Sequence, residues 1–92
     1  MIDKPVVAAL KRMRRLLDRG WIQGRLSTDK GYCLLGAWTA ETENGSRVRR
    51  STGQIIDRLI GHSGWPAWND AKGRTKRHVL ALIDKAIRRA EA

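Results

Sequence analysis

A chain of 92 residues with 19 Lys+Arg against 9 Asp+Glu carries a formal net charge of +10 and a pI near 11.1, a field that draws in nucleic acid or another acidic partner. The length leaves room for one small domain, the single cysteine excludes an internal disulfide and a thiolate zinc site, and no apolar run is long enough to span a bilayer. The opening Met1-Ile2-Asp3-Lys4-Pro5 lacks the charged and apolar regions of a signal peptide, so a cytoplasmic protein with no membrane partner is expected.

Asp3 and Pro5 make a helix start, and Val6, Leu10, Met13 and Leu17 then recur on one face as far as Gly20. The opposite side is a cationic stripe of Lys4, Lys11, Arg15 and Arg19, flanked by Arg12 and interrupted by Asp18. Trp21 to Leu26 is a short apolar link too brief to assign, and Ser27 to Gly31 has turn chemistry. From Gly31 to Trp38 the composition predicts a buried helix entered through a glycine turn. Cys33 falls in its first turn, Leu34, Ala37 and Trp38 share a face, and the helix continues to about Glu41 or Glu43 before Asn44-Gly45-Ser46 breaks it.

Arg47, Arg49 and Arg50 around Val48 read either as loop or as a frayed first turn, with Thr52 the better cap for a helix carrying Ile55, Ile56, Leu59 and Ile60 and ending at Gly61. Gly64 to Asp70 reads as a loop, because Pro66 lacks a donor and restricts Trp65. Thr75 caps a last helix running to about Ala90, with Val79, Leu82, Ile83, Ala86 and Ile87 inward and Arg77, Asp84, Lys85, Arg88 and Arg89 outward. Asp84 and Arg88 are spaced to pair at i, i+4. The expectation is an all-α, compact single domain of about four helices.

The order Trp21…Gly24, Gly31-x-Cys33-Leu34-x-Gly36-Ala37, Trp68-Asn69-Asp70, Arg74-Thr75 and then Val79-Leu80-x-Leu82 with Ala86 resembles a domain-of-unknown-function family of actinobacteria and their phages. Its members carry a C-L-x-G-A box and a later W-N-D box before the last helix, and the resemblance covers most of the chain from Trp21 onward. Members carry an acidic residue where this chain has His78, a departure that leaves the capping box of the final helix incomplete. The resemblance implies a phage or bacterial accessory protein and supplies no activity.

Cys33 at a helix N-terminus, with His62 or His78 as base and Asn69 or Asp70 as orienter, has the residue types of a cysteine hydrolase. The plainer reading makes Cys33 a small buried hydrophobe and Asn69 and Asp70 turn and capping residues. Two separated histidines form no metal site, and no cofactor-binding or phosphate-cradling glycine loop is present. What remains is three basic clusters: Lys4, Lys11, Arg12, Arg15 and Arg19; Arg47, Arg49 and Arg50; and Lys72, Arg74, Lys76 and Arg77. If folding joins two of them, the chemistry is sequence-independent phosphate binding, with Trp65 or Trp68 adding base stacking where exposed. The sequence therefore points to a non-enzymatic nucleic-acid-binding protein. The alternative is a phage inhibitor, of the anti-CRISPR kind, that blocks an acidic or nucleic-acid-binding surface of a host defence protein.

Overall fold

Asp3 opens the first helix, α1 (Lys4–Arg19), by accepting the Val6 N–H on its carboxylate, and Pro5 occupies the first turn, where no backbone donor is needed. The computed structural model describes residues 2–92, so Met1 of the opening run lies outside the described residues. Val6, Leu10, Met13 and Leu17 are buried as their spacing predicts, and Gly20 ends the helix.

The turn-like stretch after α1 is a minimal antiparallel hairpin, β1 (Ser27–Thr28) and β2 (Gly31–Tyr32), with Asp29 and Lys30 at its tip. Trp21 adds a single parallel bridge to Tyr32. Gly20 and Gly31 lie backbone to backbone here: a Cβ on Gly31 would collide with the Gly20 carbonyl, and one on Gly20 with the Lys30 carbonyl. The predicted helix from Gly31 is therefore shorter than expected. Gly31 and Tyr32 are strand, Cys33 is the N-cap, and α2 runs Leu34–Glu41. Leu34 and Ala37 are buried while Trp38 is half-buried.

Two boundaries differ further on. Ser46, not Thr52, caps α3 (Arg47–Ile60), its hydroxyl accepting the Arg49 N–H at 3.0 Å. Arg47, Arg49 and Arg50 are thus the first turn of a helix rather than a loop. Thr52 is buried within it and accepts the Trp38 indole N–H at 2.9 Å while donating to the Val48 carbonyl. The stretch expected as a loop is a short helix, α4 (Trp65–Asp70), because Pro66 falls in its first turn, where the missing donor costs nothing. The last helix, α5 (Lys76–Glu91), begins at Thr75 as predicted. Its capping box is complete: His78 Nδ1 accepts the Thr75 N–H at 3.0 Å in the place usually taken by Glu or Gln.

The result is one compact, mostly helical domain, with five helices and one two-stranded sheet among the described residues. Its main interface is α1 against α5, with α3 packed on α5 and α2 and α4 closing the remaining side. Leu10, Met13, Leu17, Leu34, Ile56 and Ile83 are fully buried at its centre, and each such side chain stabilises the fold by about 2 kcal/mol. No helix among the described residues is long and apolar enough to cross a membrane.

Candidate nucleic-acid interface

The fold divides the expected binding cations into two groups. Several are spent on the fold itself. Arg49 reaches back to the C-terminus of α2, donating to the Thr39 and Thr42 carbonyls at 2.9 and 2.6 Å and to the Thr42 hydroxyl at 3.0 Å, with its guanidinium 5.0 Å from the centre of the Trp38 ring. Arg12 serves the same helix end, bonding the Glu41 carboxylate at 3.0 Å and the Glu41 carbonyl at 3.1 Å. These side chains satisfy carbonyls that a helix end leaves open, in a helix with no basic residue in its own last turn.

Arg47 forms a two-pronged pair with Asp3, which holds the Asp3 carboxyl below the usual aspartate range, chiefly through that hydrogen bond. Arg50 donates to the Gly45 carbonyl at 2.9 Å. The Arg74 guanidinium carbon sits over Trp68, 4.0 Å from the ring centre, and its Nε–H donates to the Trp68 carbonyl at 2.8 Å. Lys76 donates to the Asp18 carbonyl.

Along the α1/α5 seam, Lys11 pairs with Glu91, Arg14 with Asp84, and Lys76 with Asp18. Rising numbers on one helix meet falling numbers on the other, so the helices are antiparallel. Asp84 is claimed by Arg14, 2.6 Å away across the seam, and not by its expected partner Arg88. These pairs neutralise Asp18, Asp84 and Glu91, the acids of the outward side. Among the described residues, Lys4, Arg15 and Arg19 of α1 and Arg77, Lys85, Arg88 and Arg89 of α5 are exposed and make no ion pair or side-chain hydrogen bond. Arg77 adjoins Lys76, and Arg88 lies between Asp84 and Glu91, so they flank the seam opposite the α1 stripe. Lys72 is exposed in the turn after α4.

The structure thus joins the first and third basic clusters at the C-terminal end of α1, through Lys76, and brings Arg47 to the N-terminal end through Asp3. Arg49 and Arg12 are turned to the α2 end instead. Sequence reasoning left Lys85, Arg88 and Arg89 out of the interface although it placed them outward. Their spacing on α5, with Asp84 as the one acid between Thr75 and Ala90, is the signal that could have found them.

The aromatic contribution expected from the tryptophans is withdrawn by the geometry. Trp65 is 5% exposed, its indole N–H donating to Asp57 at 2.6 Å, and one face of Trp68 is covered by Arg74. Trp38 borders an apolar groove of about 380 Å³ between α2, α3 and α4, yet Arg49 stacks over it and Trp65 meets it edge-on at 5.1 Å.

Asn69 is a buried junction. Its Oδ1 accepts the Trp21 indole N–H at 2.7 Å and the Leu34 N–H at 3.0 Å, and its Nδ2 donates to the Ile22 carbonyl at 3.1 Å and to Asp70 at 2.9 Å. The amide joins the Trp21 link, α2 and α4. Cys33 Sγ accepts the Gly36 N–H at 3.3 Å as the α2 cap, and the small cavity beside it is lined by Arg25, Leu26, Pro66 and Asp70 with no histidine. His62 Nδ1 accepts the Gly64 N–H and His78 Nδ1 the Thr75 N–H. No cluster of three His, Cys, Asp or Glu among the described residues is arranged to hold a metal.

A basic, mostly helical domain with outward rows of unpaired cations is the class that this arrangement defines. The chain belongs to a family of unknown function, DUF6197, whose pattern it matches over residues 1–89. No curated protein and no solved structure matches it.

Proposed function

We propose that the protein is a non-enzymatic nucleic-acid-binding protein, cytoplasmic, acting as an accessory protein of actinobacteria or their phages. It grips phosphates with the outward faces of α1 and α5. The observation that carries this reading is the distribution of charge along the seam. All its acids are ion-paired, while among the described residues Arg15 and Arg19 on one side and Arg77 and Arg88 on the other make no ion pair. Side chains of this kind contact the backbone of a duplex or strand without reading its sequence. The withdrawn tryptophans favour phosphate contacts over base stacking.

The test is fluorescence anisotropy of labelled duplex DNA, single-stranded DNA and RNA across a salt series. Binding should weaken steeply with salt, and Arg15→Glu with Arg88→Glu should lower the slope by about one per lost phosphate contact. Absence of binding at low salt sinks the reading.

A further inference from the structure

Between the end of α3, α4 and the first half of α5 lies a cleft of about 300 Å³, lined by Leu59, Trp68, Arg74, His78, Ala81 and Lys85, with Leu82 at its base. No carboxylate lines it. Three polar side chains line it, and the fold sets the orientation of two of them, Arg74 and His78. Arg74 spends Nε on the Trp68 carbonyl, its guanidinium carbon sits over the indole, and among the described residues its two terminal nitrogens make no hydrogen bond. His78 uses Nδ1 to accept the Thr75 N–H, which puts the proton of the neutral ring on Nε2. Among the described residues, Lys85 makes no ion pair.

We infer that this cleft seats a phosphate monoester dianion, supplied by the end of a nucleic-acid strand. The source rests on the function proposed above; the chemistry of the seat does not. Two full positive charges and a neutral N–H match the charge of a monoester dianion better than the single charge of an internal diester. The forked guanidinium bonds two phosphate oxygens at once, and its stacking on Trp68 means that little side-chain freedom is lost on binding. Trp68, Leu59 and Ala81 give an apolar wall on which the adjoining sugar can rest.

Inorganic phosphate, titrated at constant ionic strength into ¹⁵N-labelled protein, is the first probe. Saturable shifts confined to the Arg74 Nε–H, the Trp68 indole N–H and His78 are expected. Lys85→Gln should weaken phosphate binding about tenfold, the loss of one charge-assisted hydrogen bond. His78→Gln keeps an acceptor for the Thr75 cap and should also weaken binding. Shifts that never saturate, or that spread evenly over the outward arginines and ignore Lys85→Gln, overturn the inference.

Anisotropy with 5′-phosphorylated and 5′-hydroxyl forms of one oligonucleotide then tests the source. A preference for the phosphorylated form that Lys85→Gln abolishes supports it, and equal binding of the two forms overturns it. Saturable phosphate binding in the cleft with no binding of either oligonucleotide overturns the strand end as source and the nucleic-acid reading together, while the seat stands.

Discussion

Truncating Asn69 would leave the Trp21 indole N–H and the Leu34 N–H without an acceptor and the Ile22 carbonyl without its donor, in a position only 1% exposed. Buried polar groups stripped of partners cost about 1–3 kcal/mol each. Asn69→Ala is therefore expected to lose about 3 kcal/mol and to lower Tm by roughly 10 °C or more, read by circular dichroism. Asn69→Asp should do at least as much harm, since a carboxylate cannot donate to Ile22 and would face Asp70. A Tm within a few degrees of the parent for both variants would remove Asn69 from the role of junction. In the sequence the W-N-D box reads as turn and capping chemistry, whereas Trp68, Asn69 and Asp70 lie in α4 and the Asn69 side chain bonds groups far away in the chain. Its partners were not legible, because Trp21, Ile22 and Leu34 stand far off in the chain and only folding sets them around one amide. Gly36 in the other box is similar: its reason is the Leu26 carbonyl, which packs where a Cβ would go and also accepts the Cys33 N–H at 3.1 Å.

At the scale of elements, α1, α5 and the end of α2 are legible in the sequence, whereas the starts of α2 and α3 and the whole of α4 are not. α1 and α5 each keep an apolar stripe over more than three turns, with a capping residue at the start, so pattern and cap agree. α2 is held at its end by Arg12 and Arg49 from two other helices, information that no local window contains. In α3, the sequence favours Thr52 over Ser46 as the cap because the arginines between them carry little apolar signal. For α4, Pro66 reads in isolation as a breaker, whereas its place in the first turn makes it a starter.

The start of α1 makes a prediction at this scale, since Asp3 both caps α1 and pairs with Arg47 in the first turn of α3. Its carboxyl is held below the ordinary aspartate value when folded. A depressed carboxylate stabilises the fold above its unfolded pKa and loses that contribution as pH falls through the folded one. The Tm difference between the parent and Asp3→Asn, which keeps a capping side chain but not the charge, should be constant near neutrality and shrink below pH about 4. A difference that stays level down to pH about 2 would show that the ion pair adds nothing.

For the whole molecule the sum of charge matters more than any pair. The ion pairs are exposed at the surface, where each contributes little, whereas a net charge of +10 on a chain of 92 residues repels itself everywhere. Added sodium chloride screens both, and the repulsion is the larger effect. Tm is therefore expected to rise between roughly 0.01 and 0.2 M salt. A fall over that range would mean that the seam pairs outweigh the repulsion. Net charge was plain from the sequence, as was the outward placement of the α5 cations. Which cations were already occupied was not, because Arg12, Arg14, Arg47 and Lys76 each take partners from elements distant in sequence.

The pairing of the first helix with the last has a bearing on how the protein comes into being. During synthesis α1 emerges early, and the apolar side that carries Leu10, Met13 and Leu17 has its main packing partner only when Val79, Ile83 and Ile87 have left the ribosome. The apolar side of α1 therefore has no covered core to join until α5 has been made.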